Sequence, residues 1–223
     1  FNAASLTVSD TLYLDDQTVT IANLIADGGT LNISGSCVLE GSIDLAGDLQ
    51  IIFSDEQGSL TLMSNLSGQG NVTVGTKGSV MLESSNSSIS GNWSINGLVE
   101  GNAANSFGSG DITVKSGGNL KVNYDMITDA SLTLMGGAGM ELSQDIMVGS
   151  LTVQEKSFPI GSYDSLYLYQ LYDDGTFSHN GSGSGSITVG PVLGETTESE
   201  GSTAVVENTN EKDSFNIVLT QQP

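Results

Sequence analysis

The sequence predicts an all-β fold: a right-handed parallel β-helix, a single-chain solenoid with coils of about twenty residues and a C-terminal cap. Three observations point there. The chain is built from apolar–polar–apolar triplets, the triplets recur at a near-constant spacing, and the residues between them are those of turns. Among 223 residues there are 29 glycines and only 3 prolines. Ser, Thr, Asn, Val, Leu and Ile dominate the rest, which favours short strands over helices.

The triplets run along most of the chain. They include Leu12-Tyr13-Leu14, Leu31-Asn32-Ile33, Leu49-Gln50-Ile51, Leu60-Thr61-Leu62, Val72-Thr73-Val74 and Val80-Met81-Leu82. They continue through Trp93-Ser94-Ile95, Ile112-Thr113-Val114, Leu120-Lys121-Val122, Leu132-Thr133-Leu134, Met140-Glu141-Leu142 and Leu151-Thr152-Val153. Strand alternation turns the flanking residues inward and the middle residue outward. Starts at 72, 93, 112, 132 and 151 are 21, 19, 20 and 19 residues apart, and a second series interleaves at 80, 120 and 140. A single coil cannot pair its own backbone or bury its own apolar face; stacking does both. The spacing predicts two or three short strands per coil and about nine coils, a rod about 45 Å long.

Residues 1–154 read as these coils. Segment 155–190 breaks the period, gathers Tyr163, Tyr167, Tyr169 and Tyr172, and ends in Ile187-Thr188-Val189, which predicts terminal coils and a cap over the open end. Residues 191–213 are acidic, rich in Thr and Ser and aperiodic, the signature of a flexible linker. In 214–223, Phe215-Asn216-Ile217-Val218-Leu219 reads as one more docked strand or the start of a further region.

Charge and chemistry narrow the function classes. Against 26 acidic residues stand five basic ones, all lysine, for a net charge of −21. Such a surface repels nucleic acid and anionic membranes, and it repels acidic polysaccharides unless a cation such as calcium bridges them. No apolar stretch is long enough to insert in a membrane, and no signal peptide is visible. The chain opens directly in repeat-like material, which reads as a mature product or an excised piece. The lone Cys37 sits in an apolar triplet and reads as core. A polysaccharide lyase on this fold needs clustered carboxylates and a nearby Lys or Arg base, and a hydrolase needs two carboxylates on one wall. Asp173 and Asp174 beside His179 are the best enzyme-like group, and Asp173 and Asp174 are the candidate metal ligands. No catalytic set emerges from the sequence. Aromatic rings at a polar surface stack on sugars. The candidate ligand-binding residues are therefore Tyr163, Tyr167, Tyr169 and Tyr172 in the cap, with Trp93 as a further ring whose position in its triplet is an inward one. A column of outward threonines, Thr61, Thr73, Thr113, Thr133, Thr152 and Thr188, raises ice binding as a further alternative.

Asn86-Ser87-Ser88-Ile89-Ser90-Gly91-Asn92-Trp93-Ser94-Ile95-Asn96-Gly97-Leu98-Val99 resembles the autotransporter-associated β-strand repeat of large bacterial surface proteins. So does Asn105-Ser106-Phe107-Gly108-Ser109-Gly110-Asp111-Ile112-Thr113-Val114 with the Gly117-Gly118-Asn119-Leu120 that follows. Phe107 stands where the repeat usually has Leu, and Trp93 where Thr is common. The stretch Pro159-Ile160-Gly161-Ser162-Tyr163, with Gly183-Ser184-Gly185-Ser186-Ile187-Thr188-Val189-Gly190, is similar to the ending of such arrays. The resemblance spans about residues 86–190 and implies a β-helix and export. It brings no catalytic residues. Taken together, the expectation is a non-catalytic extracellular module of a larger secreted bacterial protein, an adhesin-like stalk or a carbohydrate-binding accessory domain, with a polysaccharide or a host or cell-surface glycan as partner. The alternative is a lyase or hydrolase of the parallel β-helix type.

Overall fold

The computed structural model describes residues 2–172, 174–178 and 185–191. Asp173, His179, the linker expected over 191–213 beyond Pro191, and the strand expected in 214–223 lie outside the described residues.

The described chain winds into a parallel β-solenoid of about 7 turns, each of about 20 residues. One wall is a nine-stranded sheet that includes Thr11–Asp15, Thr30–Ser34, Leu49–Phe53, Val72–Val74, Trp93–Ile95, Ile112–Val114, Ser131–Leu134 and Ser150–Val153. The 72, 93, 112, 132 and 151 series stacks here in register, so that Val72, Trp93, Ile112, Leu132 and Leu151 form one inward column. In the earlier coils the register steps by two. Leu31 lies opposite Ile51, and Leu49 opposite Val72. A shift of two preserves inward and outward faces, so alternation alone does not distinguish the two pairings.

The facing wall is an eleven-stranded sheet. Its core column Cys37, Leu60, Val80, Val99, Leu120, Met140 contains the second series, with Val99 filling the missing rung. The triplet is hidden there because Gly101 replaces the second apolar residue. Its place is taken by Phe107, whose ring would lie 2.6 Å from a Cβ at Gly101. Cys37 is buried in the core.

The first turns differ from the expected three-residue strands. Thr18–Ala26, Ser36–Leu45 and Ser59–Gly68 are nine or ten residues long and bend onto a third face. A register irregularity between Ile21 and Leu24 falls within the first of these strands, while Ser36–Leu45 and Ser59–Gly68 pair without a shift. At the corner, buried Ser64 turns inward and donates to the Leu39 carbonyl at 2.8 Å. Leu24, Ile43 and Leu66 line this face. After the short strand Ser88–Ile89 the third face continues as a turn at 104–109 and an isolated parallel bridge of Ile127 to Met147, until Asp145–Val148 pairs with Ser186–Val189.

Periodicity stops at Val153. Gln154 and Glu155, both at positive φ, reverse the chain into Lys156–Ser157, which runs antiparallel against the last coil. Gly161–Asp164 then pairs antiparallel with Ser186–Val189, and the helix Ser165–Leu171 follows. Asp164 caps that helix by accepting the Tyr167 amide at 2.7 Å. Leu168, Phe158 and Phe177 are buried beneath. Past 154 the chain makes this closure and adds one parallel rung to each of two faces, Phe177–Ser178 on Met140–Glu141 and Ser186–Val189 on Asp145–Val148, rather than two full coils, so there are about seven turns and not nine. At about 4.8 Å per coil the stack rises about 34 Å.

Candidate functional site

The nine-stranded wall presents a regular polar surface, and much of it is consumed by the fold. Four of its strands are preceded by a Gly-Asx pair: Gly47-Asp48, Gly70-Asn71, Gly91-Asn92 and Gly110-Asp111. Each Asx side chain reaches along the stack and accepts a backbone amide of the next coil. Asp48 Oδ1 accepts from Asn71, Asn71 from Asn92, Asn92 from Asp111, and Asp111 from Ser131, at 2.8–2.9 Å. The glycines let neighbouring coils approach, because a Cβ at Gly70, Gly91 or Gly110 would overlap the glycine carbonyl one coil before it. Sequence reasoning missed this ladder, although the Gly-Asx pair directly before four successive apolar triplets of this wall is a legible signal for it.

Beside the ladder lies a row of outward hydroxyls. Thr73, Ser94, Thr113, Thr133 and Thr152 are consecutive rungs of one strand position. The expected threonine column is thus divided. Thr61 belongs to the opposite wall and Thr188 to the three-stranded sheet, while Thr73, Thr113, Thr133 and Thr152 stay together with Ser94 among them.

The cap tyrosines separate into two pairs. Tyr163 and Tyr172 are half-buried in a chain of rings: Tyr163 edge-on to Phe158 at 5.0 Å, Phe158 to Tyr172 at 6.3 Å, and Tyr172 to Phe177 at 5.9 Å. The Tyr163 hydroxyl donates to the Pro159 carbonyl at 2.8 Å. Burial, then the nearby Asp174 carboxylate, raises the Tyr172 phenol above its usual range. Tyr167 and Tyr169 are exposed on the helix at 48% and 44%. Tyr167 lies over Tyr163 with centroids 6.1 Å apart and planes 27° from parallel. Ile160, Leu166 and Leu171 of this segment are exposed as well.

Trp93 is 1% exposed and sits in the core, edge-on to Phe107 at 5.5 Å, with its indole N–H donating to the Phe107 carbonyl at 2.9 Å. Its ring is out of reach of any sugar, so it leaves the candidate ligand-binding set; the inward place in its triplet holds. Asp174 is turned to structural use. Its carboxylate accepts from the Thr176 hydroxyl at 2.7 Å, the Thr176 amide at 3.1 Å and the Gln154 amide at 2.5 Å. These bonds, the Thr176 hydroxyl first, lower its pKa. Among the described residues no group of three or more His, Cys, Asp or Glu is placed to hold a metal ion, and no helix is long and apolar enough to cross a membrane.

No family model, curated protein or solved structure matches the chain.

On the third face, where strands give way to turns, a polar groove of about 450 Å³ opens between Asn105, Ser109 and Asp111 of one coil and Ile127, Thr128 and Asp129 of the next. It is the second feature that triplet counting does not locate, because its residues lie in the aperiodic turns.

Proposed function

We propose that this chain is a non-catalytic, extracellular β-solenoid module of a larger secreted bacterial protein, a rod whose cap presents tyrosine rings to carbohydrate. The observation that carries the reading is the pair Tyr167 and Tyr169, exposed on a short helix that is held in place by packed aromatics beneath it. Rings with one apolar face and a polar tip suit sugar stacking, and a supported element limits the ordering cost of binding. The resemblance of residues 86–190 to the autotransporter-associated repeat supports export and a surface role. The non-catalytic part rests on how the carboxylates are used. Asp16, Asp48, Asp55, Asp111 and Asp174 accept backbone or side-chain hydrogen bonds that close turns and rungs.

Glycan arrays probed with and without calcium test this reading. Neutral glycans should bind, and Tyr167→Ala with Tyr169→Ala should remove the signal in a protein that still melts cooperatively. Retention of full binding by the double variant would move the site elsewhere; failure of the native protein on every glycan would leave the rod as a spacer. Ice binding is the second reading, favoured by the single unbroken hydroxyl row from Thr73 to Thr152. An ice-recrystallisation assay on Thr113→Tyr, which interrupts the row, distinguishes it.

A further inference from the structure

The third-face groove has the makings of a binding site distinct from the cap. Its position follows from the fold: between Ser88–Ile89 and Asp145–Val148 this face carries no full strand, and the turn at 104–109 and the irregular stretch 123–130, bridged to the following coil at Ile127 and Met147, leave a trough between successive coils. Phe107 is drawn into the core beneath it, and Asn105 and Gly108 on either side take left-handed conformations, φ 58° and 69°, to allow this. Asn105 is one of few non-glycine residues there, and such strain is retained where surrounding structure enforces it.

The polar groups lining the groove are held in place by the frame. The Ser109 hydroxyl donates to the Ile89 carbonyl at 3.2 Å, and the Thr128 hydroxyl accepts the Ala130 amide at 3.1 Å. Asp111 accepts the Ser131 amide through Oδ1 at 2.8 Å, a bond that uses one of its two carboxylate oxygens. Asp129 stands across from it on the next coil, and the 59% exposed Ile127 side chain supplies an apolar edge. About 450 Å³ lies within the range of small-ligand sites. Amide, hydroxyl and carboxylate groups beside one aliphatic surface match the alternating hydroxyls and C–H faces of a sugar ring. The two carboxylates, with no lysine among the lining residues, set the charge of the ligand.

We infer that this groove binds saccharides that carry no negative charge, and that those with a free, protonated amine bind tightest because the amine sits between Asp111 and Asp129. The site is independent of the cap tyrosines.

Titration calorimetry with tetramers of glucosamine, N-acetylglucosamine and galacturonate tests it on the full chain. The glucosamine oligomer should bind best and weaken with salt, the acetylated oligomer should bind more weakly, and galacturonate should not bind. Asp111→Asn with Asp129→Asn should remove the amine preference, a loss of about tenfold for the glucosamine oligomer. The variant should still fold with a cooperative melt, because Asn71 and Asn92 fill the same ladder role as Asp111. Ile127→Lys, at an exposed rim position, should abolish binding of the glucosamine oligomer in a folded protein. Tyr167→Ala with Tyr169→Ala should leave all three results unchanged, which separates this site from the cap. Binding of galacturonate as tight as glucosamine, amine preference that survives the double Asp→Asn change, or no binding of any tetramer at millimolar concentration each overturns the inference.

Discussion

Leu132→Asp and Thr133→Asp place the same carboxylate on adjacent residues of one strand, and the inward–outward assignment predicts opposite outcomes. Leu132 is 1% exposed and stacks between Ile112 and Leu151 in the core column. Losing the buried leucine costs about 2–5 kcal/mol in transfer and cavity terms. The new carboxyl has no hydrogen-bond partner there. Held neutral at pH 7 against an ordinary pKa of about 3.9, it costs roughly another 4 kcal/mol. A loss of about 6–9 kcal/mol exhausts much of a typical stability of about 5–15 kcal/mol. The charge part has a definite sign. A carboxyl whose folded pKa is raised binds its proton more tightly in the folded state, so the variant recovers stability as pH falls from 7 toward 4. Thr133 faces outward between Thr113 and Thr152, and its replacement should cost about 1 kcal/mol or less, a strand-propensity effect. Urea and thermal unfolding followed by circular dichroism at pH 7 and pH 4.5 measure both. Equal destabilisation, or a larger loss at Thr133, would refute the assignment and the register with it.

Three further outcomes follow from the same frame. Gly91→Ala should destabilise by about 1–3 kcal/mol or more, since its Cβ overlaps the Gly70 carbonyl oxygen, whereas Gly136→Ala, where a Cβ meets open space, should cost little; thermal melts compare the two. Asn86→Ala should cost about 2–5 kcal/mol in chemical denaturation, because buried Asn86 accepts the Leu66 amide and donates to the Ser106 carbonyl, both at 2.8 Å, and its loss strands both groups. The Tyr124 hydroxyl is buried without a partner in bonding geometry, and desolvation, softened by the backbone of Phe107 and Ser106, pushes its phenol up to about 12. An absorbance titration should show Tyr124 ionising late, a phase that Tyr124→Phe removes, with Tyr172 also above the ordinary range. Because the folded pKa is raised, Tyr124's contribution is complete below pH 10 and lost between pH 10 and about 12.

The architecture was legible because a solenoid writes its period directly into the chain. Each coil repeats the same inward demands, so Val72, Trp93, Ile112, Leu132 and Leu151 identify their stacking partners by spacing alone. Reading failed where the repeat was locally disguised. Val99 was passed over because Gly101 yields its core space to Phe107, a residue that arrives from a turn rather than from the strand. The coil number falls short of nine because residues past 154 follow no period: antiparallel pairs and a helix use up chain between the last parallel rungs, and that closure has no local signature. In the candidate sites, the tyrosine cluster was visible as composition, but not which rings face out. Tyr163 and Tyr172 pack against Phe158 and Phe177, while Tyr167 and Tyr169 stand exposed on the two flanks of the helix, either side of buried Leu168.

By itself, then, the sequence determined the class, the period, the inward residues and the acidic character, all of which follow from alternation and charge that each residue carries locally. Only the tertiary structure decided the two-residue register step between Leu31 and Ile51, the long strands that bend at Ser64, the division of the threonines among three sheets and the groove between Asp111 and Asp129. Alternation has a period of two and is blind to shifts of two. Turns obey no period at all, so what they bring together across neighbouring coils is set by packing.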